Sequence, residues 1–212
     1  RYKGFGFELN IENDPLRRAY IQAYHACVTF LDAQILRVLD AVERNGHGED
    51  TIIILTSDHG YQLGEHFMWG KVTLFEVCAR VPLVIRVPET IETGATMAGA
   101  TSEALVELLD LYPTLAELCD VKAPALLQGR SLVPMLQDPS ASGKEVAYTV
   151  VKRGEDLGKA IRMDRWRYAK WSDGEELYDL HADPRETRNL ARSEPHSATL
   201  QTLRAKLAET DA

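Results

Sequence analysis

Residues 51–57, Thr-Ile-Ile-Ile-Leu-Thr-Ser, constrain the fold of this chain more than any other stretch. A β-branched and aliphatic run of this length predicts a strand that is covered on both faces, as in a parallel α/β sheet. Such sheets place their ligand sites beyond the carboxyl ends of their strands, and Asp58-His59-Gly60 follows directly. A carboxylate and a neutral imidazole there can share one divalent cation. From this tripeptide alone, an Asx-turn with an exposed histidine is the alternative.

A long helix is predicted before this strand. Asp14-Pro15 is a typical helix start, and the apolar residues that follow keep helical spacing up to Arg44. Asn45-Gly46 then provides a helix end, because glycine adopts the left-handed conformation that often closes a helix.

Two more elements are predicted before residue 137. The apolar run 81–87 precedes Pro88 and indicates a second sheet strand. Residues 102–118 repeat apolar positions at helical spacing and predict a helix, which Pro113 kinks or restarts. We therefore predict a domain boundary between residues 137 and 138, where turn-forming residues begin.

A small antiparallel meander with a terminal helix is predicted beyond that boundary. The strand-like segments are 146–151, 159–163, 166–171 and 176–180, separated by turn residues. The final helix, 196–209, has three leucines on one face. We expect Trp166, Tyr168 and Trp171 to share the face of their strand that packs on the core.

Four motifs carry a resemblance to a known family. They are Ser57-Asp58-His59-Gly60, Leu63-Gly64-Glu65-His66, Trp69-Gly70-Lys71-Val72-Thr73-Leu74-Phe75-Glu76 and Arg80-Val81-Pro82-Leu83. This stretch resembles the second metal-binding segment of the type I sulfatases, in the alkaline phosphatase superfamily. The Asp-His pair is most similar to the iduronate-2-sulfatase and choline-sulfatase branch, which also contains phosphonate monoester hydrolases. Weaker similarity extends along nearly the whole chain.

The resemblance implies the fold and the site residues. Residues 1–137 would be the C-terminal portion of an alkaline-phosphatase-like α/β/α sandwich, and 138–212 a smaller antiparallel-sheet subdomain with a terminal helix. Asp58 and His59 would be metal ligands, and Lys71 would contact the sulfate and the nucleophile. His66 could donate a hydrogen bond to a leaving-group or sulfate oxygen, although a structural loop histidine is an equal alternative. Glu65 is expected to orient a neighbour.

Several aromatic and arginine side chains have two possible roles each. Tyr61 and Trp69 flank the metal loop and could line a substrate pocket or anchor the loop by packing. Arg80, Arg162 and Arg167 are possible contacts for a sulfated substrate, but surface arginines are common.

The family's nucleophile is a formylglycine made from a Cys/Ser-x-Pro-x-Arg motif, and this sequence contains none. None of Cys27, Cys78 and Cys119 has proline two positions on, and Ser193-Glu194-Pro195 is followed by no arginine at the required position. The family's paired N-terminal aspartates are not found either. We therefore expect the C-terminal part of a sulfatase, which carries half of an active site and is inactive alone.

The implied activity is sulfate-ester hydrolysis assisted by a divalent ion, calcium by expectation, with manganese and magnesium left open. The substrate would be a sulfated carbohydrate or small metabolite. Alternatives are a phosphonate or phosphate ester hydrolase of the same superfamily, and a non-catalytic fragment or module. The net charge of −8 argues against nucleic acid as a partner.

Neither a membrane span nor a disulfide framework is predicted. Apolar runs fall short of about 18 residues, and three cysteines without Cys-x-x-Cys spacing favour free thiols. A homo-oligomer could form through surface that the rest of the enzyme would otherwise cover. The sequence leaves localisation undecided; the family resemblance makes a periplasmic or secreted protein the expectation.

Overall fold

A helix of 31 residues, α1 (Asp14–Arg44), begins the computed structural model, which describes residues 14–91 and 96–211. Arg18 Nε donates to Asp14 Oδ2 at 2.5 Å in the first turn. At the other end Gly46 has φ 79°, and the amide of His47 donates to Val42 O at 3.0 Å. This is the closure that glycine favours, so the predicted helix and its end at Gly46 are confirmed. The predicted start with Asp14 as N-cap stays a prediction, because the residues before Asp14 lie outside the described ones.

The predicted buried strand is present as β1 (Ile53–Thr56), and the run 81–87 forms β4 (Leu83–Arg86). The two pair antiparallel, with Ile54 opposite Ile85. The expectation of a parallel strand covered on both faces was wrong for this pair, since Leu55 is 42% exposed and Val84 57% exposed. An aliphatic run indicates that both faces of the strand are apolar, but it does not determine the direction of the neighbouring strand.

Short elements lie between these strands. β2 (Gln62–Leu63) and β3 (Trp69–Gly70) form an antiparallel pair around a 3₁₀ turn at Glu65–Phe67. A single helical turn, α2 (Glu76–Ala79), follows.

The predicted meander is confirmed as one antiparallel sheet in the order β5-β6-β7-β8. Its strands are β5 (Ala147–Arg153), β6 (Asp156–Arg162), β7 (Trp166–Trp171) and β8 (Gly174–Asp179). The terminal helix, α5 (Ser197–Thr210), is also confirmed. Its three leucines, Leu200, Leu203 and Leu207, are buried against one face of this sheet.

The two faces of the sheet explain one wrong prediction. Tyr168 packs on the α5 side with Ile161 and Leu177, and Trp166 joins them. Trp171 packs on the opposite side with Ala169. Side chains alternate along a strand, so residues 166 and 168 share a face while residue 171, an odd number of positions away, does not.

The helix predicted over 102–118 is shorter than expected. A 3₁₀ turn at Leu108–Asp110 leads into α3 (Leu111–Leu118), and α4 (Val133–Gln137) follows later. Pro113 lies in the first turn of α3, where its missing N–H costs least. The buried Asp110 carboxylate accepts the amides of Glu107 and Arg130, both at 2.8 Å, which holds the segment before α3 out of the helix.

Two compact units divide the described chain. One contains the residues up to Lys71 together with Val81–Ile91, and the other contains Val72–Arg80 together with the residues from 96 onward. The boundary predicted after residue 137 lies inside the second unit and stays a prediction about the longer protein. Among the described residues, helices with the length and apolar character for crossing a membrane are absent.

Candidate active site

The end of β1 bends sharply and exposes two candidate metal ligands. Ser57 Oγ donates to His59 O at 2.8 Å, and the amide of His59 donates to Asp58 Oδ1 at 3.0 Å. These local bonds hold the backbone in a bend at Asp58. The Asp58 side chain is 83% exposed and that of His59 35% exposed. The amide bond to Asp58 comes from the adjacent residue, whereas an Asx-turn uses the amide two residues on. The bend that presents both side chains is therefore different from the Asx-turn that was the alternative prediction.

The imidazole of His59 is oriented by its own neighbour. Nδ1 lies 2.8 Å from Gly60 O, and a carbonyl can only accept, so Nδ1 carries the proton in this arrangement. Nε2 then has a lone pair, which lies 2.8 Å from Lys71 Nζ and 3.5 Å from Asp58 Oδ2. A backbone carbonyl on the remote nitrogen is the usual way in which a metal-binding histidine is held.

The β2–β3 pair returns the chain to the end of β1. Gln62 pairs with Gly70, so Lys71 comes back beside the residues that precede Gln62. Twelve residues of separation thus become a direct contact between Lys71 and His59. Of the four predicted site residues, the structure brings Asp58, His59 and Lys71 together.

Aromatic packing on α1 holds this pair of strands. The rings of Tyr20 and Trp69 meet edge to face with centroids 5.3 Å apart, and those of Tyr24 and Tyr61 lie 5.5 Å apart. The hydroxyls of Tyr20 and Tyr61 are hydrogen-bonded, and Arg17 lies 5.8 Å from the Trp69 ring. These contacts support the loop-anchoring reading of Tyr61 and Trp69.

The 3₁₀ turn contains His66, the fourth predicted site residue. His66 and Phe67 have φ values of 53° and 58°, in the left-handed region that costs non-glycine residues about 1–3 kcal/mol. Glu65 Oε2 accepts the amide of Leu63 at 2.6 Å, so Glu65 orients the backbone of the turn. His66 is half-buried, and its catalytic role stays a prediction.

The donor set tests whether a divalent cation fits. Asp58 Oδ2 and His59 Nε2 are two acceptors 3.5 Å apart, and a cationic group, the Lys71 ammonium, already lies beside them. Within residues 14–91 and 96–211, groups of three or more His, Cys, Asp or Glu side chains that could hold a metal are absent. The chemistry of these two donors suits a divalent ion, but they fill only part of its coordination shell.

Two of the three candidate anion-binding arginines are occupied by the protein itself. Arg167 is buried and ion-paired with Glu186, and Arg162 Nε lies 3.3 Å from Glu76 Oε1. Their reading as substrate contacts was wrong, because the sequence gives no sign of carboxylates 19 and 86 positions away. Burial raises the pKa of the Glu186 carboxyl, against the opposing influence of Arg167. Arg80 is exposed.

Family comparisons give a consistent picture along the chain. The family model described as sulfatase matches residues 2–121. The model described as N-sulphoglucosamine sulphohydrolase, C-terminal, matches residues 64–212.

Curated relatives are longer than this chain. A sulfatase of Formosa agariphila is 38% identical over 193 residues, which are 91% of this chain and 36% of that protein. A choline-sulfatase of Rhizobium meliloti is 34% identical over 88% of this chain and 35% of its own length. The chain thus spans about a third of the length of these relatives.

Solved structures share the fold. A protein in complex with its substrate, D-glucosamine-2-N,6-O-disulfate, superposes with a TM-score of 0.83 at 32% identity, covering 92% of this chain and 40% of that one. A phosphonate monoester hydrolase of Agrobacterium radiobacter superposes with a TM-score of 0.74 at 28% identity, covering 84% of this chain and 38% of that one.

Proposed function

Since the chain belongs to the sulfatase family of the alkaline phosphatase superfamily, we propose that it is the C-terminal part of a longer enzyme that hydrolyses sulfate esters. The observation that carries this proposal is the cluster of Asp58, His59 and Lys71 at the end of β1. Its two acceptors suit a divalent cation, and its ammonium suits an anionic group. We propose a sulfated carbohydrate or small sulfated metabolite as substrate, because one structural relative is complexed with a sulfated glucosamine.

The residues of this chain have separate tasks in the proposed reaction. Asp58 and His59 would hold a divalent ion, calcium in our proposal with manganese or magnesium as alternatives, which when bound would supply Lewis-acid chemistry to the sulfate group. Lys71 lies next to His59 and neutralises charge that develops on the transferring group, a form of electrostatic stabilisation that often contributes most to catalysis. His66 is proposed to donate to a leaving-group or sulfate oxygen. The nucleophile, a formylglycine hydrate, would come from a segment outside these residues.

A phosphonate or phosphate ester hydrolase is the second candidate. The same pair of acceptors and the same ammonium would serve a phosphoryl group, and the phosphonate monoester hydrolase fold matches over 84% of this chain. The test is turnover by the longer enzyme of matched aryl sulfate and aryl phosphonate monoesters. We expect the sulfate ester to be preferred. A clear preference for the phosphonate would replace the first candidate by the second.

The isolated chain can be assayed without the rest of the enzyme. Two ligands cannot fill the six to eight positions that calcium prefers, so the 212-residue chain alone should bind calcium only weakly and show no turnover of either ester. Calorimetry of calcium binding and the same assays check this expectation. Tight calcium binding by the isolated chain would contradict the assignment of a half-site. Activity of the isolated chain would show that the nucleophile lies within it.

A periplasmic or secreted location of the longer enzyme remains part of the proposal.

A further inference from the structure

The segment that follows Lys71 is bound at three positions by side chains of the meander and of the stretch after it. Arg153 Nε, at the end of β5, donates to Val72 O at 2.7 Å. Arg167, on β7, donates to Leu74 O. The amide of Glu76 donates to Glu186 Oε2 at 2.8 Å. Backbone groups of three alternate residues, Val72, Leu74 and Glu76, are thus fixed by side chains that are distant in sequence.

The central pair of this arrangement is buried. Arg167 is 1% exposed and Glu186 is 3% exposed, and the guanidinium lies 5.1 Å from the Phe75 ring and 5.0 Å from the Tyr178 ring. Burying an ion pair costs desolvation energy that its own attraction often fails to return. A pair that also binds two backbone groups of one segment gains little as a general stabiliser but fixes that segment in one conformation.

Backbone strain marks the start of the same segment. Val72 has φ 70°, which is a genuine outlier for a β-branched residue. Such a conformation persists only where the surroundings over-determine it, and the Arg153 bond to Val72 O is a direct restraint. The Arg153 guanidinium is itself held over the Trp171 ring at 4.5 Å. The torsion at Val72 sets the orientation of the peptide that joins it to Lys71.

We propose that Arg153 and the Arg167–Glu186 pair are positioning residues, which hold Val72–Glu76 in a strained conformation and so fix the backbone that carries Lys71. This inference rests on the proposed function of Lys71. A plain structural anchor would change stability alone. A positioning device changes turnover at constant substrate affinity and constant fold.

Arg153 is the first residue to vary, because it is only half-buried, whereas Arg167 and Glu186 are buried. In the longer enzyme, Arg153→Gln should lower kcat at least 10-fold, change KM less than about 3-fold, and speed amide exchange in the peptide containing residues 71–76. Arg153→Lys keeps a cationic donor and should recover most of kcat. Arg188→Gln, on an exposed arginine, is the matched control and should leave all three quantities unchanged.

Val72→Gly separates strain from stability. Glycine adopts a φ of 70° without steric cost, so this variant should keep or raise Tm while the freed backbone lowers kcat. Unchanged kcat in both Arg153→Gln and Val72→Gly, in folded protein, would overturn the inference.

The failure of the proposed function looks different. It would appear in the unmodified enzyme as no turnover of the aryl sulfate. In that case the same variants are compared on whichever ester the enzyme does hydrolyse, and faster amide exchange in residues 71–76 of Arg153→Gln still tests the restraint itself. Unchanged exchange there would overturn the inference irrespective of substrate.

Discussion

Two helices of this chain bury their apolar residues to very different degrees. α5 has 14 residues and buries three leucines on the meander. α1 is more than twice as long and, in the described structure, has no buried residue. Its large exposed apolar side chains are Leu16, Val28, Phe30, Leu31, Leu36 and Val38.

The well-buried helix and the helix beside the candidate active site are different parts of the chain. The three leucines of α5 and the sheet face on which they pack are buried within the chain, and each fully buried leucine contributes about 1.5–3 kcal/mol relative to an exposed one. α1 supports the loop that carries His59 and Lys71 through Tyr20 and Tyr24, yet most of its length is uncovered. We infer that α1 depends on additional protein surface, whereas the packing of α5 on the meander does not.

The largest expected effect concerns the chemistry of the first unit. In the longer enzyme, Lys71→Ala should lower kcat by about 10²–10³-fold, as the loss of one electrostatic contact to the transition state does. KM should change far less, because the ammonium meets charge mainly as it develops. Steady-state kinetics on an aryl sulfate give both values. Lys122→Ala, at another exposed lysine, is the control.

Asp58→Ala should have a different signature from Lys71→Ala. Removing a metal ligand weakens the cation site, so excess divalent ion should restore part of the activity of Asp58→Ala and none of that of Lys71→Ala. Near-normal turnover for Lys71→Ala would refute its assigned role.

The next effect compares leucines in the two helices. Leu203→Ala in α5 should destabilise the chain by about 2–5 kcal/mol, since it opens a cavity in the buried cluster. Leu31→Ala in α1 should cost less than about 0.5 kcal/mol, because the side chain is already exposed. Denaturant unfolding of the isolated chain measures both.

The same two substitutions in the longer enzyme sharpen the contrast. If the rest of the protein covers α1, Leu31→Ala should there cost as much as a core substitution. A cost that stays below about 0.5 kcal/mol in the longer enzyme would show that α1 is not covered and would break the comparison.

A third effect is self-association of the isolated chain. An exposed apolar face of this extent marks an interaction surface, so we expect dimers or larger species at high concentration by light scattering. Replacing both Leu31 and Val38 by lysine should shift the chain toward monomer. Lysines at Gln22 and Thr29, which are exposed polar positions of the same helix, add equal charge and serve as the control. A monodisperse monomer of the unmodified chain would count against this expectation.

Local signals in the sequence were sufficient for much of the fold. The helix end at Gly46, the meander and the leucine face of α5 follow from periodicity and turn residues, and all three were confirmed. The motif around Asp58 located the candidate site and the family. These features need only neighbours in sequence, or a motif whose residues stand close together.

The errors share a physical cause, which is dependence on partners far away along the chain. The antiparallel pairing of β1 with β4 is set by a segment 30 residues on. Two of the arginines considered as possible substrate contacts are paired with carboxylates that only the folded chain brings near, Arg167 with Glu186 and Arg162 with Glu76. The roles of Arg153 and of the strained Val72 have no local signature either. Trp171 is different: strand parity alone would have placed it correctly.

The smallest expected effect is on the pH dependence of stability, and it compares a carboxylate on the meander, Asp179, with one in α1, Asp14. Arg165 donates to Asp179 from Nε at 3.0 Å and from Nη2 at 2.6 Å, and this hydrogen bonding lowers the pKa of Asp179 below 3.8. Because the pKa of Asp179 is lower in the folded chain than in the unfolded chain, its ionised carboxylate stabilises the fold above pH 3.8. This contribution is lost as the pH falls through the folded-state pKa. Because Arg165 is half exposed, we expect a contribution of about 1 kcal/mol or less.

Asp179→Asn should therefore lower Tm near neutral pH, and the difference from the unmodified chain should shrink toward zero as pH is lowered below the usual aspartate pKa. Asp14→Asn is the matched variant in α1. The pKa of Asp14 is likewise lowered by its hydrogen bond from Arg18, but both side chains are exposed to solvent, which screens the pair. Its Tm difference should be close to zero at every pH. Thermal unfolding of the three chains between pH 2 and pH 7 checks both curves. Equal differences for Asp179→Asn and Asp14→Asn would mean that the better-covered region gains nothing extra from its ion pair.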